Sequence, residues 1–209
     1  MTNYELEYFP VRGRGEAIRL LLSDSGLTYK EINVLSPDPS AWANKFKPRM
    51  PFGQCPMFRD GDFELVQSNA ILRYLGRKHG LVGNSNEDLS KADMVNDSVE
   101  DLRSEYVRFI YQNYDAGKEE FVKKLPEKLK PFEKFLANGK STFVLDKITF
   151  VDYNLFDLLD ILSVLSPGCL KEFPVLAKYF QTIADRPGIK ERRSSEACKK
   201  MQINGNGKQ

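Results

Sequence analysis

The hydrophobic spacing of this 209-residue chain changes once, near residue 80, and that change limits the folds open to it. Before it, strand-like and helix-like segments alternate. From about Asn86 onward no period-2 segment recurs. Tyr4, Leu6 and Tyr8 alternate with Glu5 and Glu7, as in a half-buried strand that ends near Phe9. Pro10 breaks the pattern, and a loop holding Arg12, Gly13, Arg14 and Gly15 follows. Ala17, Ile18, Leu21 and Leu22 then predict a helix over about Glu16–Ser25, with Gly26 just beyond its end.

The segment YKEINVL reads as a second strand, and the stretch from Ser36 to Gly53 is irregular. CPMFRDGDFELVQ reads as a hairpin turning at Asp60-Gly61. Ser68 is placed as the N-cap of a helix that runs through Ile71, Tyr74 and Leu75 to Gly80. The order is β-α-β, then β-β-α. A right-handed crossover makes the first pair of strands parallel and the hairpin makes the last pair antiparallel, a small mixed sheet of thioredoxin type. Pro56 opens the hairpin's first strand, a position compatible with a cis bond at a tight entry as well as with the ordinary trans bond, cis being the minority case from sequence alone.

Beyond the change, Val95, Val99, Leu102, Tyr106 and Phe109/Ile110 step along one face of a long helix. Further helices are expected near 119–137, 150–165, 173–184 and 187–197. The class is thus α/β plus all-α: a thioredoxin-like domain at 1–80, the linker HGLVGNSN, and an all-helical domain at 81–209. Thr149 and Asp152 form a capping box, flanked by Ile148 and Tyr153 as a hydrophobic staple. The polar tail NGNGKQ would be disordered unless it docks.

Composition narrows the function. Lys and Arg total 31 against 29 Asp and Glu, with no basic block, so nucleic acid is a poor first partner. No basic-then-apolar leader and no apolar segment of spanning length appears, so a soluble, cytoplasmic protein away from membranes is expected. Cys55, Cys169 and Cys198 are odd in number and far apart, which points to a reducing compartment without disulfides or structural zinc. No metal-ligand cluster, phosphate loop or full dinucleotide fingerprint is present. The one histidine, His79, sits at a helix end and is expected on the surface, so a Ser/His or Cys/His nucleophile has little to rest on.

What remains is a convergence of polar residues near strand ends: Tyr8, Arg14, Trp42, Lys45, Lys47, Gln54, Gln67 and Ser68. A helix start with a Ser hydroxyl suits a carboxylate, and nearby Lys and Arg suit a second one. The main chain of Cys55, just before Pro56, could pair with an extended ligand. Singly each has an ordinary explanation; together they suit a short peptide-like molecule with two carboxylates.

The stretches YFPVRGRGEAIR, GQCPMFRDGDFELVQSNAILRYLGRKHGL, DMVNDSVEDLR, ITFVDYNLFDLLDI and INGNGKQ closely resemble the pi class of the cytosolic glutathione transferases, along the whole chain. The resemblance implies a homodimer that conjugates reduced glutathione, its co-substrate, to hydrophobic electrophiles in detoxification, with no cofactor and no metal. It makes Tyr8 the catalytic residue. It makes Arg14, Trp42, Lys47 (or Lys45), Gln54, Gln67 and Ser68 glutathione contacts, with a main-chain pairing at Cys55 beside Pro56. Asp101 corresponds to a residue that reaches glutathione in the partner subunit. Phe9, Val11, Val107, Tyr111 and Gly205 correspond to walls of the electrophile site, and Phe52 to an aromatic that plugs into the neighbouring subunit. The alternative is a glutathione-binding scaffold that has lost turnover, but Tyr8, Arg14, Gln67 and Ser68 are all present.

Two further expectations follow. Asp93, Asp97 and Asp101 form an acidic stripe that is expected to meet Arg73 and Arg77 across a two-fold interface. A phenol with a pKa of about 10 is a poor base at neutral pH, so Tyr8 is expected to donate a hydrogen bond to the glutathione thiolate rather than remove its proton.

Overall fold

The computed structural model describes residues 4–209. Strands β1 (Tyr4–Tyr8) and β2 (Tyr29–Asn33) run parallel, joined through helix α1 (Glu16–Asp24). Strands β3 (Met57–Asp60) and β4 (Phe63–Val66) form an antiparallel hairpin, and β3 pairs antiparallel with β1. The sheet order is β2-β1-β3-β4, and helix α2 (Ser68–Lys78) follows. The hairpin loop is Gly61-Asp62, one residue later than the sequence reading. Asp60 still pairs with Phe63, and Gly61 takes the positive φ of 60° that a tight loop needs.

The alternation in β1 is half of the story. Tyr4, Leu6 and Tyr8 are buried, but so is Glu7, held by Arg49 and by Arg59 at 3.7 Å. The irregular segment folds over that face, where Val34, Ala41, Phe46, Met50, Met57 and Val66 make a second small core. The Ser36–Pro37 bond at the start of the irregular stretch and the Cys55–Pro56 bond at the entry to β3 are both cis.

The opposite face belongs to a larger core that runs from Leu6, Ile18 and Phe58 through α2 into the helices without interruption. These are α3 (Asn86–Gln112), α4 (Tyr114–Ala137), α5 (Phe150–Leu165), α6 (Pro174–Ala184), α7 (Pro187–Ser194) and α8 (Glu196–Lys200). The spacing read for α3 is its buried stripe: Val95, Val99, Leu102, Tyr106, Phe109 and Ile110 are all inside. Truncating one such aliphatic side chain to Ala costs about 2–5 kcal/mol.

Helix α5 is the hub. Every residue from Phe150 to Leu162 is buried, and α1 and α3 both pack on it. Its start is fixed by the Thr149 amide and hydroxyl, which donate to Asp152 Oδ2 at 2.8 and 3.0 Å. The other oxygen, Oδ1, accepts from Val144 N at 2.9 Å and Tyr179 Oη at 3.2 Å. Burial nevertheless pushes the Asp152 carboxyl up to about 6, against the pull of these donors.

His79 caps α2 as expected, but it is half-buried, and its Nε2 lies 2.8 Å from the Tyr4 hydroxyl. Arg73 does not wait for a partner chain: its side chain reaches from α2 to α3 within the same chain and pairs with Asp93 at 2.6 Å and Asp97 at 3.0 Å. The tail docks. Gln202 bridges to Val11, Asn206 Nδ2 donates to Ile110 O at 2.9 Å, and Lys208 pairs with Asp115 at 2.9 Å.

Candidate active site

Tyr8 ends β1, where the chain leaves the sheet and turns back past it. The turn at Gly13–Gly15 brings the Arg14 amide to the Tyr8 hydroxyl, and Arg14 N donates to Tyr8 Oη at 2.9 Å. The approach is close enough to require glycine: a Cβ on Gly13, whose φ is +41°, would lie 2.6 Å from the Tyr8 oxygen. Buried Arg19 braces the loop from beneath, donating to Val11 O at 2.9 Å and Arg12 O at 3.2 Å. Burial pushes the Tyr8 hydroxyl up to about 12, although the Arg14 amide acts in the opposite direction. The phenol is therefore neutral at any ordinary pH. It accepts one hydrogen bond and keeps its own proton to donate.

The Arg14 side chain leaves the loop and forms a two-pronged pair with Glu100 of α3, at 2.8 and 2.6 Å. Desolvation opposes its charge, but the bonds to Glu100 outweigh it and the guanidinium pKa rises. Glu100 also accepts from Asn69 Nδ2 at 3.1 Å and is held below the usual carboxylate range by Arg14 despite its burial.

Two cavities meet at Arg14. The larger is a polar cleft of about 620 Å³ lined by Phe9, Arg14, Trp42, Lys47, Gly53, Gln54, Cys55, Pro56, Gln67, Ser68, Asn69 and Glu100. Lys47 is in it; Lys45 instead lies 5.3 Å from the centre of the Phe46 ring. Trp42 packs edge-on against Phe9 at 5.2 Å, which places Phe9 on the cleft side. Gln67 has φ 73° and ψ 109°, a backbone state that costs a non-glycine residue about 1–3 kcal/mol. With Gln67 in that conformation, Ser68 becomes the first helical residue rather than the N-cap, and its hydroxyl is not used to cap α2. The first amides of α2 therefore open onto the cleft beside a free hydroxyl.

The smaller cavity, about 110 Å³, is lined by Tyr8, Gly13, Arg14, Arg103, Tyr106, Val107, Tyr111, Ile161, Ile203 and Asn204. The tail closes it: Gly205 N donates to Tyr111 Oη and Asn204 Nδ2 donates to Tyr106 Oη, both at 2.8 Å. Val11 lies behind this wall, bridged to Gln202, and Gly205 reaches it through Tyr111. Asp101 is exposed and lines neither cavity of its own chain. Sequence reasoning missed Gly53, Asn69 and Glu100 in the cleft, and Gly13, Arg103, Tyr106, Ile161, Ile203 and Asn204 in the pocket. The available signals were the neighbours of Ser68 and Asp101 and the buried face of α3.

The protein's own thiols are poor nucleophiles. Burial pushes Cys55 up to about 12 and raises Cys169 and Cys198 as well. A thiolate at this site would have to arrive with the ligand.

The glutathione S-transferase N-terminal domain model matches residues 4–77, and the glutathione S-transferase C-terminal domain model matches 100–196. The chain is 49% identical to glutathione S-transferase P of Bos taurus and 48% identical to that of Homo sapiens, with 100% of each chain covered. In structure it is similar to the pi-class glutathione S-transferase of Onchocerca volvulus, with TM-score 0.93, 38% identity and 99% and 100% of the two chains covered. It is also similar to the glutathione S-transferase from Ascaris lumbricoides, with TM-score 0.80, 30% identity and 90% and 95% covered.

Proposed function

The chain belongs to the glutathione S-transferase family, pi class, and from that premise we propose that it conjugates reduced glutathione to hydrophobic electrophiles by thiolate attack. The observation that carries the mechanism is the Arg14 amide on the Tyr8 oxygen, which leaves a neutral phenol with one proton to give. An ordinary thiol with a pKa of about 8.5 is mostly protonated at pH 7. Lowering it by about two units takes roughly 2.7 kcal/mol of preference for the anion. One hydrogen bond to a charged acceptor supplies about 1.5–3 kcal/mol, and the Arg14 guanidinium adds positive potential.

In this reading the residues 1–80 hold glutathione in the cleft. One carboxylate meets Ser68 and the first amides of α2, the other meets Lys47 near Trp42, and the main chain of Cys55 pairs with the middle of the ligand. Gln54, Gln67 and Arg14 complete the contacts. The helical part, 81–209, supplies the electrophile's apolar walls, Val107 and Tyr111 among them, with Phe9, Val11 and Gly205 around them. The reaction as read here draws on no metal or cofactor: the nucleophile comes with the co-substrate.

A homodimer belongs to the same proposal. Phe52 is 69% exposed on a loop and Met94 is 52% exposed on α3, apolar groups suited to a second copy. Asp101, exposed on α3, would then reach the partner's cleft. A cytoplasmic location fits the three free cysteines, and no described helix is long and apolar enough to cross a membrane. Retention on glutathione resin followed by a chlorodinitrobenzene assay tests the function: binding and turnover are expected, and binding without turnover would make the protein a scaffold.

A further inference from the structure

Helix α5 carries two carboxylates that the mechanism above does not use. Asp157 and Asp160 sit on one face, and Arg12 Nη2 donates to both, at 3.1 and 2.7 Å. Arg12 is largely buried, and its Nε has no hydrogen-bond partner, so these two oxygens locate the side chain. Its main chain is held as well: Arg12 N donates to Gln202 O at 2.8 Å, and Arg12 O accepts from Gly15 N at 3.1 Å. Gly13 N donates to Ile203 O at 3.0 Å. Two residues past Arg12 comes the Arg14 amide that meets Tyr8.

We infer that Asp160 is a positioning residue for the reaction: through Arg12 it fixes the loop Val11–Arg14 where the Arg14 amide reaches the Tyr8 oxygen. The inference rests on the conjugating function proposed above. Three facts give it direction. The loop has no slack, since Gly13 lies against the Tyr8 hydroxyl. Helix α5, buried from Phe150 to Leu162, is a fixed base. And Asp157 holds Arg12 only through Oδ1, at 3.1 Å, the longer of the two contacts, while its Oδ2 faces Arg103 of α3 at 2.9 Å, so Asp157 alone would hold Arg12 in a different place. The other charged groups facing this cluster are Glu16 of α1, which is engaged by Arg19 and Arg192, and Arg193 of α7, which donates to Asp160 Oδ1 at 2.8 Å. Without Asp160, Arg12 is drawn toward Asp157 and the loop moves with it. The Tyr8 hydroxyl then loses the donor that orients its proton toward sulfur.

The test is the pH profile of turnover and the thiolate absorbance of bound glutathione in Asp160→Asn, Asp160→Leu and Arg193→Leu. Both Asp160 variants are expected to shift the thiol's apparent pKa upward by about half to one unit, cutting turnover at pH 6.5 by roughly three- to tenfold. Turnover should return toward that of the unmodified protein above pH 9, with glutathione affinity changed less than about twofold. Arg193→Leu removes Asp160's other partner while leaving Arg12 in place, and it should keep the original profile. Should Asp160→Leu fail to fold, the equal-sized Asn variant carries the test. A titration that overlays the unmodified protein, a loss uniform across pH, or an equal shift in Arg193→Leu would each overturn the inference. An unmodified protein that forms no thiolate with glutathione would overturn the functional reading, and the inference with it.

Discussion

The cleft and the pocket meet at Arg14, yet they are built in opposite ways. The cleft is polar, and all but one of its lining residues come from the stretch between Phe9 and Asn69, with Glu100 the exception. The pocket is about a sixth of that volume and draws on four separated stretches: the β1 loop, α3, α5 and the tail. A constant co-substrate can be met by fixed polar contacts at strand ends and a helix start, set by one local fold. A varied electrophile needs apolar walls, and these come from faces of elements whose main task is packing. The difference is one of tolerance: the cleft should fail sharply when a contact is lost, and the pocket gradually.

The largest effect is expected at the junction. Gly13→Ala puts a Cβ against the Tyr8 oxygen in a backbone state that favours glycine. Turnover should fall by a hundredfold or more, about 2.7 kcal/mol, with both glutathione and electrophile parameters disturbed. Steady-state kinetics with each substrate varied would show it, and a normal enzyme would mean that the loop can shift after all. Next is Tyr8→Phe, which removes one proton donor and little volume. Turnover at neutral pH should drop at least tenfold, about 1.4 kcal/mol, while glutathione affinity stays within about twofold. The bound thiol's absorbance should titrate at higher pH; an unchanged titration would move the activating role elsewhere.

Tyr111→Phe probes the pocket alone. It breaks the bond from Gly205 N at an exposed position, so the amide can turn to water. A two- to threefold rise in KM for the electrophile, about 0.5 kcal/mol, is expected with the glutathione titration untouched. An effect as large as that of Tyr8→Phe would erase the contrast between the two halves.

The smallest effect on the chemistry belongs to the α5 cap. Thr149→Gly should cost about 1 kcal/mol of stability by denaturant titration and leave turnover per folded molecule unchanged. Asp152 adds a pH signature. Its folded pKa, about 6, lies above its unfolded value, so the native state favours the neutral acid. The stability this contributes is full below about pH 4 and is lost as pH rises through about 6. The advantage of the unmodified protein over Asp152→Asn should therefore be larger at pH 4.5 than at pH 7.5. The opposite trend would mean that the carboxylate is the favoured form.

Which of these features could be read from the sequence follows from how local they are. The α3 stripe, the Thr149–Asp152 box and the β-α-β order depend on neighbours within a few residues, and they were legible. The burial of Glu7 was not, because it requires the irregular segment to fold over β1 and bring Arg49 with it. Ser68 was misplaced by one position because the backbone of Gln67 adopts a state that local propensity disfavours. The pairing of Arg73 with Asp93 and Asp97 within one chain has no local mark, since nothing near Arg73 in the sequence says that its side chain reaches α3. The contacts of Glu100 with Arg14, and of Arg12 with Asp157 and Asp160, join residues far apart in the chain, and no periodicity marks them. The resemblance to a known class carried the position-by-position reading of the cleft further than these patterns could.

The bridge between Val11 and Gln202 has a consequence for the order in which the site is made. Synthesis runs from the N-terminus, so the strand carrying Tyr8 and every cleft residue through Asn69 leave the ribosome early. The groups that hold Arg12 and Gly13 in place, Gln202 O and Ile203 O, emerge after nearly the whole chain. Ile203 and Asn204, which wall the pocket, come with them. A nascent chain that has not reached Gln202 lacks the backbone partners of Arg12 and Gly13 and two walls of the pocket. The loop beside Tyr8 and the pocket wall are therefore completed only once Gln202 to Asn204 have been made.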